Sequence, residues 1–260
     1  MAQLGLFGKM PSVGDFVSRG FSPVLCESLD RLLQSALVAC TADGTDAREV
    51  MLRARPVMIV LRPGALCATG FSGLWLPSQD RVGRVFPLCV GREVDAQQAQ
   101  VPLCWPTEAL ISLVGMAVVR TLESGGGPDE LIAACPAKDE WDSAALQGLP
   151  FTTSGDETVP DLSFQGSLFA LEGPEPRMSA ASRALCSRMP WVAQALGTIV
   201  SPQGKPAWYF ATRSLLAWTQ FAALFDGRWS HWEWTEAAVD ATDETLPGFT
   251  QAQPPPQHRA

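Results

Sequence analysis

The chain of 260 residues has two histidines, His231 and His258, and a single tyrosine, Tyr209. A Ser–His–Asp or Cys–His nucleophilic centre needs a histidine beside its nucleophile. His258 lies in a proline-rich C-terminal stretch and His231 sits among tryptophans, so neither is placed for that role. There is no Gly-x-Ser-x-Gly elbow either. The same scarcity removes most zinc and iron sites. The seven cysteines (Cys26, Cys40, Cys67, Cys89, Cys104, Cys135 and Cys186) are odd in number, scattered, and never spaced Cys-x-x-Cys. They read as reduced core thiols in a cytosolic protein, not as a disulfide framework or metal cluster. No run of about 18 consecutive apolar residues occurs, so no membrane-spanning helix is expected. The N-terminus lacks a basic region followed by a long apolar stretch, so no secretory signal is expected. Lysines and arginines do not cluster, and the net charge is -8. That balance argues against nucleic acid and anionic membranes as main partners. Charged residues make up 18% and apolar residues 47%. A charged share below the usual ~25% predicts a compact, well-buried fold.

Two segments stand out. The first runs from Leu4 to Phe16 and contains Gly8-Lys9-Met10-Pro11 and Gly14-Asp15-Phe16. The second runs from Ser78 to Leu88 and contains Ser78, Asp80, Arg81, Gly83, Arg84, Phe86 and Pro87. Both set charges tightly among glycines, prolines and aromatics, which is the chemistry of shaped loops. Gly8-Lys9 invites a phosphate-loop reading. That loop needs a glycine five positions before its Gly-Lys, and Ser or Thr after it. Gln3 and Met10 stand at those positions, so the reading fails. Lys9 is better read as paired with Asp15 or Asp80. Asp80 reads as a turn residue that caps a helix, with Arg81 and Arg84 pinning neighbouring loops. An exposed Arg/Asp surface that docks a protein is the functional reading of the same residues. Asp15 and Asp80 are also a conceivable carboxylate pair for hydrolysis, a weaker reading than structural ion pairs.

Around these segments the pattern predicts a short strand at Leu4–Phe7 ending at Gly8, then a loop from Lys9 to Arg19. A helix follows from Pro23, capped by Ser22, with Leu25, Leu29, Leu32, Leu33, Ala36 and Leu37 at helical spacing. A shorter helix is expected near Thr45–Ala54. Val57–Leu61, Phe71–Leu76 and Phe86–Val90 read as strands, with Asp80–Arg84 as a hairpin loop or short helix between the last two. Thr107–Leu122 reads as a helix ended by Gly125-Gly126-Gly127-Pro128. A short helix is expected at Asp129–Cys135. Further along, Leu162–Leu171 and Ala207–Thr212 read as strands, and Ser179–Leu196 and Ser214–Phe225 as helices. The nine tryptophans read mainly as core, including Trp229, Trp232 and Trp234. From Glu236 the sequence turns polar and acidic, and it ends in the proline-rich stretch Pro254–Arg259. The mixture lacks a regular βαβ rhythm, which predicts an α+β fold, sandwich-like, with a mostly antiparallel sheet flanked by helices. The expected division is an N-terminal domain over 1–127, a C-terminal lobe over 128–248 packed on it, and a disordered tail over 249–260.

The two segments resemble those of the TagF family, also called ImpM, encoded with bacterial type VI secretion systems. Family members begin with a Gly-aromatic-Gly-Lys-Leu-Pro-x-x-Gly-Asp-Phe stretch, met here by Gly8, Lys9, Pro11, Gly14, Asp15 and Phe16, with Met10 for leucine. Their Ser-x-Asp-x-x-Gly-Arg-x-Phe-Pro-Leu segment is matched by Ser78 to Leu88 position for position. Pro206-Ala207-Trp208-Tyr209 resembles the family's small-residue-Trp-Trp element, with Tyr209 in the second tryptophan's place. The resemblance implies a non-enzymatic cytoplasmic repressor of secretion-system assembly that acts after translation. Its implied partner is the system's forkhead-associated-domain scaffold protein, with no cofactor, no metal, no nucleic acid and no membrane insertion. Two alternatives stand beside it: a hydrolase using Asp15 or Asp80 with Lys9, and a structural accessory subunit of the apparatus.

Overall fold

The computed structural model describes residues 4–94, 108–136, 166–171, 195–200, 206–212 and 218–239. Their strands are β1 (Leu4–Lys9), β2 (Phe16–Arg19), β3 (Val57–Leu61), β4 (Gly70–Leu76), β5 (Leu88–Val94), β6 (Gly166–Leu171), β7 (Ala195–Val200), β8 (Pro206–Thr212) and β9 (Thr235–Val239). They form one sheet in the order β2-β1-β5-β4-β3-β7-β8-β6-β9. Every pairing is antiparallel except β6 with β9. The helices are α1 (Pro23–Cys40), α2 (Ala47–Arg53), α3 (Glu108–Glu123), α4 (Pro128–Ala134) and α5 (Ala223–Asp226). This is the expected α+β fold, a mostly antiparallel sheet with flanking helices.

Alternation along the strands gives each face its own cover. On one face Phe7, Cys89, Phe71, Trp75, Val57, Ile59 and Phe210 join the apolar side of α1 and Phe221, Leu224, Phe225, Trp229 and Trp234 in a single core. α3 packs on α4 and β4, and α4 on β1 and β2. The start of α1 is held by an exchange between sequence-distant groups. The Ser22 hydroxyl accepts from the Leu25 N–H at 3.2 Å, closing an N-cap. That hydroxyl donates to Glu93 of β5 at 2.7 Å, and the Ser22 N–H donates to the same carboxylate at 2.8 Å. Burial alone would raise the Glu93 pKa, but hydrogen bonds from Thr69 and Ser22 outweigh it and lower it.

A row of glycines lets the first face close. Gly5, Gly91 and Gly73 stand in register across β1, β5 and β4, and Ile59 and Gly197 continue the row. Aromatic rings lie where side chains would be: Phe21 over Gly5, Phe71 over Gly73 and Phe210 over Gly197. Phe21 and Phe71 meet edge to face, 5.7 Å between centroids. Rings laid over glycines recover packing that a side-chain-free row would forfeit.

Several sequence expectations need correction. β1 does not end before Gly8 but runs through Lys9, and the expected Lys9–Arg19 loop contains β2. Glycine stands at 8 because φ is 133° and a Cβ would strike the Pro87 carbonyl. Close backbone approach, not strand termination, is its reason. Of the two readings of Asp80–Arg84 the hairpin loop holds, closed by a Gln79–Val85 bridge. β5 starts at Leu88, two residues later than expected. Of the expected helix at Ser179–Leu196, residues 179–194 lie outside the described residues, and Ala195 and Leu196 belong to β7. The helix expected from Ser214 is a 3-10 turn over Trp218–Ala222 followed by α5, ended by Gly227 at φ 71°. Thr107, residues 162–165 of the expected Leu162–Leu171 strand, residues 214–217 and the tail expected at 249–260 lie outside the described residues. Trp229 and Trp234 are buried in edge-to-face contact at 5.3 Å, and Trp232 donates its indole N–H to Asp226 at 2.8 Å. The core reading of these three holds, and a 3-10 turn over Ser230–Trp232 with a left-handed Glu233 sets the directions of Trp232 and Trp234 apart.

The glycine row makes a quantitative expectation. A Cβ on Gly73 would press on the backbone of β5, 2.7 Å from the Gly91 Cα. Gly73→Ala therefore lowers stability by about 1–3 kcal/mol, the range for overpacking, read as a lower urea midpoint at unchanged m value. Gly115→Ala in α3, where nothing lies within 4 Å of the added carbon, raises the midpoint instead.

Candidate functional site

β1 delivers Lys9 to the end of its strand, and the β4–β5 hairpin loop delivers Asp80 to the same place. The Lys9 Nζ donates to Asp80 Oδ2 at 3.1 Å across 71 residues of sequence. The Asp80 side chain is fully buried and that of Lys9 is 8% exposed. Of the two partners the sequence allowed for Lys9, the structure selects Asp80. The ammonium also lies over the Phe16 ring, 5.1 Å from its centroid.

The Asp80 carboxylate is saturated. Oδ1 accepts from the Val82 N–H at 3.0 Å and the Arg84 N–H at 2.9 Å, and Oδ2 accepts from Lys9 and from Arg84 Nε at 2.7 Å. A carboxylate offers about four acceptor sites, and all are used. Asp80 therefore caps its own turn, not a helix as the sequence suggested. Gly83 supplies that turn's left-handed residue at φ 86°. Burial alone would raise the Asp80 pKa. The bonds from the Arg84 N–H, Lys9, the Arg84 guanidinium and the Val82 N–H outweigh it and hold the carboxyl well below the usual carboxylate range.

The two segments are laced together at further points. The Ser78 hydroxyl donates to the Lys9 carbonyl at 2.7 Å and the Arg81 N–H to the Val13 carbonyl at 2.9 Å. Arg84 Nη2 donates to the Gly14 carbonyl at 2.5 Å. Beneath them Phe7, Phe16 and Phe86 form an aromatic trio, with Phe16 and Phe86 at 4.9 Å. Pro87 is buried against Gly8, while Pro11 is exposed. Asp15 stays out of the ion pairs: its Oδ1 accepts the Phe16 N–H at 2.8 Å. Thus Gly8, Lys9, Pro11, Gly14, Asp15, Phe16, Ser78, Asp80, Arg81, Gly83, Arg84, Phe86 and Pro87 meet in one corner. Trp208 does not: it lies on β8, in register with Ile199 and Ala170, in the far half of the sheet. Phe7 is the member that sequence reading passed over. Its signal was the i, i+2 spacing from Lys9, visible only once β1 is extended past Gly8.

Asp15 and Asp80 do not make a catalytic pair of free carboxylates, since Asp80 has no acceptor site left for water or substrate. No group of three or more His, Cys, Asp or Glu among the described residues is arranged to hold a metal. The described cysteines Cys26, Cys40, Cys67, Cys89 and Cys135 are free thiols, and burial pushes Cys40 up to about 12. No helix among the described residues is long and apolar enough to cross a membrane.

The corner's stability has a pH signature. Because the folded-state pKa of Asp80 lies below its unfolded value, its contribution is complete above the unfolded carboxylate range near ~3.9 and is lost as pH falls toward the folded value. Asp80→Asn lowers the melting temperature at pH 7 and flattens its decline below about pH 4. Lys9→Met leaves the buried carboxylate with Arg84 as its one remaining cation and lowers the melting temperature by roughly 10 °C. Melting curves across pH 2–7 check both.

The family profile described as TagF N-terminal domain, type VI secretion system-associated, matches residues 5–137, just over half of the chain. A search among curated proteins finds no match. The crystal structure of PA0076 from Pseudomonas aeruginosa PAO1 is similar in fold, with a TM-score of 0.54 at 21% sequence identity, covering 87% of this chain and 95% of that one. Both segments of the corner fall within the matched residues, and the chain belongs to the TagF family of type VI secretion system-associated proteins.

Proposed function

We propose that this protein is a non-enzymatic cytoplasmic regulator of a type VI secretion system. It represses assembly after translation by binding the system's forkhead-associated-domain scaffold protein. The observation that carries this reading is the family match over residues 5–137. The geometry of the corner supports a binding role over a catalytic one. The groups that a hydrolase would need free are consumed internally: Lys9 by Asp80, and Asp80 by four donors. His231 is exposed and stacks edge-on against Trp232, 4.7 Å between centroids, in another part of the fold. The side chains left over on the corner suit recognition of a protein, since arginines and aromatics are enriched at interface hot spots.

The reading predicts two outcomes. Purified chain and purified scaffold associate in a pull-down and in calorimetry. Excess chain in the producing cell stops secretion without lowering the level of the apparatus proteins, as sequestration by mass action requires. No association, together with unchanged secretion on deletion and on excess, overturns the reading. Stable co-purification with the sheath or baseplate in place of the scaffold favours a structural accessory subunit.

A further inference from the structure

The inside of the corner is electrically complete, but its outside is not. Val82 is 69% exposed at the tip of the β4–β5 loop and Phe16 is 44% exposed at the start of β2. Arg81 and Arg84 flank them and are exposed as well. The four belong to one patch because their loops are interlocked. The Arg81 backbone is bonded to Val13, and its guanidinium lies 3.4 Å from where a Gly14 Cβ would sit. Arg84 reaches the Gly14 carbonyl, and Phe16 meets the Phe86 ring edge to face. Arg48 of α2 extends toward Gly83, its Nη1 3.8 Å from a Cβ placed there. Among the described residues, neither Arg81 nor Arg48 has a carboxylate partner. Asp15, Asp46 and Glu49 are exposed acids on the same segments, and Asp46 accepts the Arg48 N–H at 2.9 Å.

The rigid loop tip holds Val82 in water beside the half-exposed Phe16 ring, flanked by Arg81 and Arg48, which have no carboxylate partner among the described residues, and by Arg84, which is paired with Asp80. The tip is rigid because Asp80 fixes the backbone at Val82 and Arg84. Ordering it on contact therefore costs little further entropy. Cations concentrated on one corner of an acidic protein select an acidic surface, and they also suppress self-association of copies through that corner.

We propose that this patch, Phe16 and Val82 flanked by Arg81, Arg84 and Arg48, is the docking surface of the protein, and that its occupant is an acidic segment of a protein partner carrying an apolar anchor. The assignment rests on the partner-binding reading above and locates it. Arg81 and Val82 supply the contact, and Lys9 and Asp80 hold the loop in shape from behind.

The test is calorimetric titration of the full-length chain against the forkhead-associated scaffold protein at two salt concentrations. Arg81→Glu with Val82→Asp removes exposed side chains that make no hydrogen bond or ion pair with any described residue, so the melting temperature stays within a few degrees of the parent. The expected result is a loss of affinity of at least about tenfold for this double variant, with a weaker salt dependence than the parent shows. A control variant changes Leu113 and Met116 to glutamate on the exposed apolar face of α3 and binds as the parent does. If the parent binds and the corner variant binds equally well, the assignment is overturned while the partner reading stands. If the α3 variant alone loses binding, the assignment is overturned in favour of that face. If the parent itself does not bind the scaffold, the partner reading fails and the assignment falls with it.

Discussion

The buried pair between Lys9 and Asp80 is the contact on which this end of the molecule depends. Taking both charges out of water costs several kcal/mol per ion, and a bare pair does not recover that. Here the cost is met by geometry that only the finished sheet supplies. Lys9 reaches Asp80 because β1 pairs with β5 in the register that sets Gly8 opposite Leu88. Asp80 accepts its two N–H groups because the hairpin between β4 and β5 turns left-handed at Gly83. Once formed, the pair orders backbone well beyond itself. The carbonyls of Lys9, Val13 and Gly14 each take a donor from the opposite loop. A misregistered sheet would part Lys9 from Asp80 and leave the buried carboxylate only Arg84 of its own loop, so the pair penalises the wrong register.

How much of this was legible beforehand depended on the range of the forces involved. β3 could be read to the residue because Val57–Leu61 is a short apolar run with both faces buried. α1 was legible because Ser22, Pro23 and the leucines that follow all give the same answer locally. Gly8 misled, because a glycine in a strand reads as a stop while its actual cause, the Pro87 carbonyl, lies in a segment about eighty residues away. β7 was hidden for a related reason. Ala195, Leu196 and Gly197 carry no strong strand preference, and Gly197 earns its place only through the Phe210 ring above it. The charged residues of the corner were visible as a group. Which carboxylate Lys9 would choose was not, since Asp15 and Asp80 differ only in burial, a property of the assembled fold.

That difference in burial also separates the two jobs done by motif residues of similar chemistry. Asp80 sits at zero side-chain exposure with every lone pair engaged, whereas Asp15 keeps one oxygen for its neighbour's N–H and faces water. Arg84 bridges the two settings. Its Nε neutralises Asp80, while its side chain is 59% exposed. Arg81, three positions earlier, contributes its backbone to the lacing and leaves its guanidinium outside. A single stretch of loop thus alternates between groups that set its shape and groups that the shape displays. Losing an inner group would damage display and stability together, and losing an outer one would damage display alone. Comparing melting temperature with partner affinity is therefore the measurement that divides this motif into its parts, because neither quantity alone distinguishes Asp80 from Arg81.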